Sequence, residues 1–554
     1  MNNLIGNKAV LIYPKFYGNT FWSFKKSLEL YVPKNEFGLP KRSLPPLGLM
    51  GLFRYLKPYY KKLILIDRNV DPRRLRKIIS NADHVYMGGM SAQEKGLMED
   101  AKIIKDLGKP LILGGPIVDR TILEKEPLKS MKIIAVQNES ELVMEDVLKD
   151  LSEKKFGNYY VGEHCRANDY FEPDFSCINL NNYISMAIQI GRGCPWNCEF
   201  CDITARFGRK ARYSSKEKIR RQIKQLYDLG WRKDIFIVDD SFTALPWVPF
   251  AIESLKTLYE IEEELGHHFF KSAQVSLDLS NESENMREVR YWLKKTNFNM
   301  LFVGVETNNI ESLKETGKNQ NLFQGKKERS LKEKLAFISK ETGAGVMLGI
   351  IHGFDNDTRE SVDSLIDFIN STHCSIVMPG LLSAMPYTRL GDRIKKEGRF
   401  RKGDLGCNTD GIMGFVPYNF SIEEAERDYV KILERIYSEK AYFKRIEREI
   451  NFFNPQSTKG VISIKEGIHF ALNLMTKKYA GIYWKNLGMA NRIARKNSRF
   501  LSPKYKSLMG LYFARCSRYT HFRSMIEYLQ RRLKRKKYEE WEKVSWKEMQ
   551  EKGD

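Results

Sequence analysis

The sequence predicts an α/β chain: an N-terminal Rossmann-like domain, a partial (β/α)6 barrel and a mostly helical C-terminal region. Three observations predict it. Short apolar runs alternate with amphipathic stretches from Ala9 onward, the pattern of a parallel sheet covered on both faces. The alternation lapses and then restarts near Tyr183, giving strand–helix units of the kind that build a full or partial parallel barrel. Beyond Gly398 strand patterns vanish and helical periodicity takes over.

Element by element, AVLIYP (Ala9–Pro14) reads as a strand and LGLMGLFRYLK (Leu47–Lys57) as a helix. KLILID, HVYMGGMS, PLILGGP and KIIAVQ read as further strands, spaced by the helices PRRLRKIISNA and EKGLMEDAKIIKDLG and followed by ESELVMEDVLKDL. Ligands in such sheets sit at the strand carboxyl ends, which here carry Asp67, Gly88–Ser91 and Gly114-Gly115-Pro116. Residues 1–153 form this first unit, and the polar, Pro-containing stretch 154–183 reads as a linker. The barrel, 184–398, takes the strands YISMAIQIG, DIFIVDD, KSAQVSLDL, MLFVGVET, VMLGIIHGF and CSIVMPGLLSAMP. Its helices are expected near Lys216–Leu229, Val248–Leu265, Glu282–Lys295, Leu331–Thr342 and Arg359–Asn370. Residues 399–554 complete the chain as helices with a basic tail.

Composition excludes several classes. With 42% hydrophobic and 29% charged residues among 554, the chain is neither disordered nor fibrous. No apolar run reaches the ~20 residues of a membrane-spanning helix. The N-terminal stretch has an interrupting lysine and no small-residue cleavage site, so no signal peptide is expected. Eight cysteines in this length make no disulfide scaffold and fit a reducing cytoplasm. The net charge of +23 is uneven: residues 451–554 hold 23 basic and 8 acidic residues, a net +15.

Cys194, Cys198 and Cys201 form a C-x3-C-x2-C loop, GRGCPWNCEFCDI, directly after the first barrel strand. Three thiolates on one loop can hold a metal or an iron–sulfur cluster. Structural zinc usually takes four protein ligands, and no fourth Cys or His lies nearby in the sequence. Three ligands on a four-iron cluster leave one iron open to a substrate or cofactor.

On these residues the sequence resembles the radical S-adenosylmethionine (SAM) enzymes. The motifs PPLGL, FIVDDSF, FVGVETNNIESL, KNQN, HGFDNDT and LSAMPYTRL narrow the resemblance to the subgroup with a cobalamin-binding domain that includes the hopanoid C-2 methylase. The resemblance implies a 4Fe–4S cluster on Cys194, Cys198 and Cys201, whose open iron chelates SAM, and an electron donor such as flavodoxin or ferredoxin. It implies that Phe200 helps seat the adenine, that Asp239 or Asp240 meets the methionine ammonium, that Ser276 and Glu306 contribute at the next strand ends, and that Gly349 and Gly353 pass the adenine. It also implies cobalamin, with Asp67, Ser91, Gly114 and Gly115 at its site. Two departures stand out. The Asp-x-His-x-x-Gly motif is absent, so Asp67–Pro72 supplies no axial histidine. Gln137-Asn138-Glu139-Ser140-Glu141 replaces a typical Gly-Glu-Ala-Glu.

The implied activity is cobalamin-dependent methylation of an unactivated carbon on a lipid or isoprenoid-type substrate. A radical cyclase or C–C bond-forming or oxidising enzyme without methyl transfer stays open, as does an RNA-binding modifier using the tail. Cys165, Cys177, Cys374, Cys407 and Cys516 read as buried structural thiols. His267-His268 read as surface or cap residues, and His352 as either a core histidine or a group at the barrel mouth. The tail interleaves Lys and Arg with Tyr483, Trp484, Phe500, Tyr505, Tyr512 and Phe513, which suits peripheral contact with an anionic membrane. The same composition can serve RNA, or simply face solvent.

Overall fold

In a computed structural model, residues 4–17, 44–322, 329–401, 408–453, 478–500 and 502–553 are described. Cys407 lies outside them. The first sheet has six parallel strands: β1 (Gly6–Tyr13), β2 (Tyr60–Asp67), β3 (His84–Gly88), β4 (Leu111–Gly114), β5 (Ile133–Asn138) and β6 (Tyr159–Gly162), in the order β2-β1-β3-β4-β5-β6. The order reverses at β1, so a crevice opens at the carboxyl ends there. Both faces are buried. Ala9 and Leu11 of β1 join the main core, while Val10 and Ile12 pack in a second cluster with Leu97 and Ile104 of helix α3 (Glu94–Asp106). Helix α1 (Leu47–Leu56) covers the opposite face and α2 (Leu75–Ile79) joins α3.

Strand β6 was not expected, since it falls in the stretch read as a linker. It is a four-residue edge strand on β5, bounded by Gly157 and Gly162, with Val161 54% exposed. A half-exposed edge has no apolar run to announce it. Helix α4 (Met144–Ser152) begins later than the sequence pattern suggests.

The second sheet runs in sequential parallel order from β7 (Ser185–Ile188) through β8 (Asp234–Ile237), β9 (Lys271–Val275), β10 (Phe298–Glu306) and β11 (Gly345–His352) to β12 (Val377–Leu381). Its outer layer is α5 (Lys216–Asp228), α6 (Val248–Leu265), α7 (Glu284–Lys295), α8 (Ile310–Glu315), α9 (Leu331–Thr342) and α10 (Arg359–Ser371). Each crossover returns a parallel strand beside its predecessor, so the sheet curls into a half-barrel of six βα units. Short polar signals start these helices: Ser215, Ser283 and Ser330 accept from backbone N–H groups of the first turn.

After α11 (Arg389–Lys396) come α12 (Ile422–Ile436), α13 (Glu439–Phe452), α14 (Ala480–Asn497) and α15 (Pro503–Arg535). An isolated bridge, Phe400 with Phe415, is the exception to the expected absence of strand pairing there. Helix α15 is fixed to the barrel side by a buried ion pair, Arg515 Nε to Glu449 Oε2 at 2.9 Å. The tail aromatics divide. Tyr483, Tyr505 and Tyr512 are buried and Phe513 is half-buried, against the expectation of an interfacial set, because they pack α14 and α15 onto α13. Trp484 and Phe500 are exposed.

Candidate active site

The cysteine loop is built by short-range constraints. Gly191–Arg192 pairs antiparallel with Arg212–Tyr213 and closes the segment between them. Gly193 has φ +96°, and a Cβ there would lie 2.5 Å from the Lys210 carbonyl, so only glycine fits immediately before Cys194. The Cys194 N–H donates to Gly208 O (3.2 Å), the Cys201 N–H to Cys198 O (3.2 Å) and the Glu199 N–H to Thr316 O (2.8 Å). Arg393 of α11 holds both Glu199 carboxylate oxygens, at 2.9 and 3.1 Å. Cys198 is buried, and Cys194 and Cys201 are half-buried. The three thiols sit on one loop between Gly191 and Arg212, and three thiolates on one loop can hold an iron–sulfur cluster. Burial pushes the Cys194 thiol up to about 11 and Cys201 further, so loading the site releases protons.

Asp239 and Asp240 stand just past β8, against the strand that leads into this loop. The Ile190 N–H donates to Asp239 Oδ1 at 2.8 Å. Among the described residues, Asp239 Oδ2 and Asp240 Oδ2 are buried without a hydrogen-bond partner. Desolvation raises Asp239 to about 8 and Asp240 to about 7. Two buried acceptors left open beside the cysteine loop fit an incoming ammonium.

Glu306 ends β10 in the left-handed region, φ +64°, next to a register shift at Gly304/Glu306. Its Oε1 accepts from Lys318 Nζ at 2.6 Å. Gly349 on β11 lies opposite Gly304, and a Cβ there would press on the Phe302 ring at 3.0 Å. Gly353 has φ +106°, and Asp357 accepts its N–H. The half-buried Phe200 ring meets Phe354 edge-on at 6.0 Å. Ser276 donates to Asp278, whose other oxygen accepts the Leu245 N–H at 2.9 Å, so this pair holds its own turn. His352 is buried among Asp357, Asp428 and Phe420. The segment Lys318–Asn321 adds residues to which the sequence assigned no role. Lys318, Gln320 and Asn321 are all buried, and Gln320 Nε2 lies 3.5 Å from Cys198 Sγ. Their signal was a polar KNQN run that is hydrophilic yet interior.

A cavity of about 360 Å3 opens between the two sheets. The carboxyl ends of β1, β3, β4 and β5 line one side, and Gln189, Arg192, Phe207 and Lys218 line the other. Gly114 and Gly115 are in its wall. A Cβ on Gly114 would find only the Val136 carbonyl, at 3.9 Å, and would otherwise stand in the cavity. Gly115 (φ +89°) passes so close to Gly89 that a Cβ would meet its carbonyl at 3.0 Å. This glycine-lined, largely apolar cradle fits the edge of a flat macrocycle. Asp67 lies outside the lining: it is buried and holds the Asn69 N–H at 2.9 Å and the Tyr183 hydroxyl at 3.1 Å. Ser91 is exposed, outside the lining as well.

The departure at 137–141 leaves the turn intact. Asn138 takes φ +64° where a glycine would be typical, and Asn is among the side chains that tolerate it. Glu139, its side chain fully buried, pairs with Arg212 and Arg192, and Glu141 pairs with Arg192 Nη2 at 2.8 Å. Glu139 also accepts from Cys165 N and Sγ, which gives that thiol a polar partner. Cys374 and Cys516 are buried and Cys177 is half-buried.

The family models match the half-barrel and the helical region that follows it. The radical SAM superfamily model matches residues 188–369, and a domain of unknown function, DUF4070, matches 388–535. An uncharacterised methyltransferase of Synechocystis sp. is 31% identical over 444 residues, 79% of this chain and 77% of that protein. The hopanoid C-2 methylase of Rhodopseudomonas palustris is 25% identical over 80% of this chain and 79% of its own. The chain belongs to the cobalamin-dependent radical SAM methylases. It is a radical SAM methyltransferase, and the cofactors of the group are a 4Fe–4S cluster, SAM and cobalamin. Two solved structures share the fold. The cobalamin-dependent radical SAM enzyme OxsB has a TM-score of 0.56 at 15% identity, covering 95% of this chain and 80% of its own. The methyltransferase TsrM from Kitasatospora setae has a TM-score of 0.57 at 10% identity, covering 89% of this chain and all of its own.

Proposed function

We propose that this methylase transfers a methyl group to an unactivated carbon of a lipid or isoprenoid-type substrate. One observation carries the proposal: the glycine-lined cavity at the first sheet's carboxyl ends is walled on its far side by Arg192, two residues before Cys194. A methyl carrier held there lies against the radical-forming loop. When bound, the cofactors supply one-electron reduction, hydrogen abstraction and methyl delivery. The chain's own residues do the rest. Cys194, Cys198 and Cys201 hold the cluster. Asp239 and Asp240 would present their open oxygens to the SAM ammonium, and Phe200 and Gly349 would pass the adenine. Gly114 and Gly115 let the corrinoid edge approach backbone. The crevice between the sheets has a largely apolar lining, which suits shielding reactive species from water.

The lipid class is supported by similarity to the hopanoid C-2 methylase and by the outer face of α14. Trp484 (56% exposed) and Phe500 (50%) flank exposed Arg492, Arg495, Lys496 and Arg499 on that face. Amphipathic rings among cations suit an anionic membrane surface at about 1 kcal/mol per basic residue. With most other tail rings buried, there is little stacking platform for RNA. No helix among the described residues is long and apolar enough to cross a membrane.

Reconstituted enzyme with SAM, reductant, cobalamin and lipid extract should release 5′-deoxyadenosine and S-adenosylhomocysteine and leave a lipid heavier by one methyl group. Deoxyadenosine without S-adenosylhomocysteine, with cobalamin bound, would overturn methyl transfer in favour of radical chemistry alone. Flotation should favour anionic over zwitterionic vesicles and weaken in Trp484→Ser; equal flotation would remove the membrane contact.

A further inference from the structure

We propose that Gln320 tunes the reduction potential of the cluster by donating an amide hydrogen bond to the Cys198 sulfur, a positioning role in the radical-forming step. The inference rests on the assignment of the cluster to the three cysteines. Gln320 belongs to the short helix Asn319–Leu322, reached from α8 through Gly317 at φ +66°. This turn is pinned on both sides. Asn321 Nδ2 donates to Gly304 O (3.0 Å) and Val305 O (2.8 Å) at the end of β10. Lys318 Nζ pairs with Glu306 Oε1 at 2.6 Å. On the cysteine side, Thr316 O accepts from Glu199 N at 2.8 Å, beside Cys198. The end of β10 and the cysteine loop thus place the Gln320 amide, 4% exposed, with Nε2 3.5 Å from Cys198 Sγ.

A donor on a cluster thiolate withdraws electron density from sulfur, stabilises the more negative reduced cluster and so raises its potential. Burial strengthens the bond because water does not compete for the sulfur. Packing alone does not call for an amide here. Gln320 Oε1 is buried with no partner among the described residues, a cost that leucine of similar size would avoid.

The test is a mediated redox titration, followed by electron paramagnetic resonance, of the full chain reconstituted anaerobically as wild type, Gln320→Leu and Gln320→Glu. Both variants should retain wild-type iron content. Their potentials should fall by about 59 mV or more, a tenfold change in a one-electron equilibrium, with Gln320→Glu falling further because it adds an acceptor. If Gln320→Leu fails to load, the isosteric Gln320→Glu carries the measurement. A wild-type potential at full iron content would overturn the proposal, and so would loss of iron in both variants, which would make Gln320 a cluster-retention residue. Failure of the wild type itself to bind iron through the cysteines is a separate result, and would overturn the cluster assignment instead.

Discussion

Asp239 and Asp240 each bury a carboxylate oxygen that finds no hydrogen-bond partner among the described residues. An unsatisfied buried acceptor costs about 1–3 kcal/mol, and two side by side past one strand mark a place meant for a donor from outside. Desolvation has raised both acids, so an arriving ammonium both completes the hydrogen bonds and restores the ionised form. Asp239→Asn and Asp240→Asn should therefore weaken SAM binding to the loaded enzyme by about 10- to 100-fold, the size of a charge-assisted bond of about 1.5–3 kcal/mol, while iron content stays at the wild-type level. Equilibrium dialysis with labelled SAM reads this directly. Unchanged affinity in both variants would return the pair to a structural role in holding Ile190–Gly193. Cys194→Ala provides the complementary test: it should not hold the full iron complement.

At the scale of elements, periodicity reports what is buried and little else. The strands of both sheets were legible because covered parallel strands are near-continuous apolar runs, as in Val10–Ile12 and Leu348–Ile351. Strand β6 was hidden because an edge strand needs no such run. The KNQN turn was hidden for the opposite reason: its residues are polar, so they read as surface, yet the cysteine loop and β10 bury them. Asp67 and Ser91 read as ligand contacts because they end strands, but Asp67 holds Asn69 and the distant Tyr183 hydroxyl, and Ser91 lies outside the cavity lining. The tail shows the same ambiguity, since Lys, Arg and Tyr can either pack or face solvent. His373 gives the helical layer a measurable signature. It is buried, shares a hydrogen bond with Ser339 of α9 at 2.7 Å and stacks on Phe452 of α13. Desolvation lowers it from 6.5 to about 4, while Glu449 raises it slightly and Arg448 lowers it. A base depressed on folding contributes stability that is complete above its unfolded value and is lost as pH falls toward the folded one. Between pH 7.5 and 5.5 the protein should lose about 1.4 kcal/mol through this group, and His373→Gln should flatten that part of the profile in denaturant titrations. An unchanged slope would assign the acid sensitivity elsewhere.

The molecule as a whole is two parallel sheets with a cavity between them, and a basic helical layer fixed to the barrel's flank. The layer's charge is partly structural: Arg515 is committed to Glu449, Lys536 to Glu426, and Lys478 to Glu527. What remains outward on α14 bears on location and leaves the chemistry to the crevice. Within the crevice the turn after β5 is tied to the cysteine-loop side by two carboxylates, Glu139 and Glu141. Glu139, from the turn after β5, is held by Arg192, two residues before Cys194, and by Arg212 on the strand that pairs with it. The cavity wall and the cysteine loop therefore share a buried ion network. Removing one partner of a buried pair strands the others and costs about 3–5 kcal/mol. Glu139→Gln should thus lower the melting temperature, split calorimetric unfolding into separate transitions for the two sheets, and reduce cobalamin retained after gel filtration, although residue 139 reaches no strand of the barrel. Restoring the charge balance in Glu139→Gln/Arg212→Met should recover part of the stability, because the uncompensated cation is then gone. A single unshifted transition in Glu139→Gln would mean that apolar packing between the sheets, through residues such as Tyr183 and Met186, holds the crevice shut without the network.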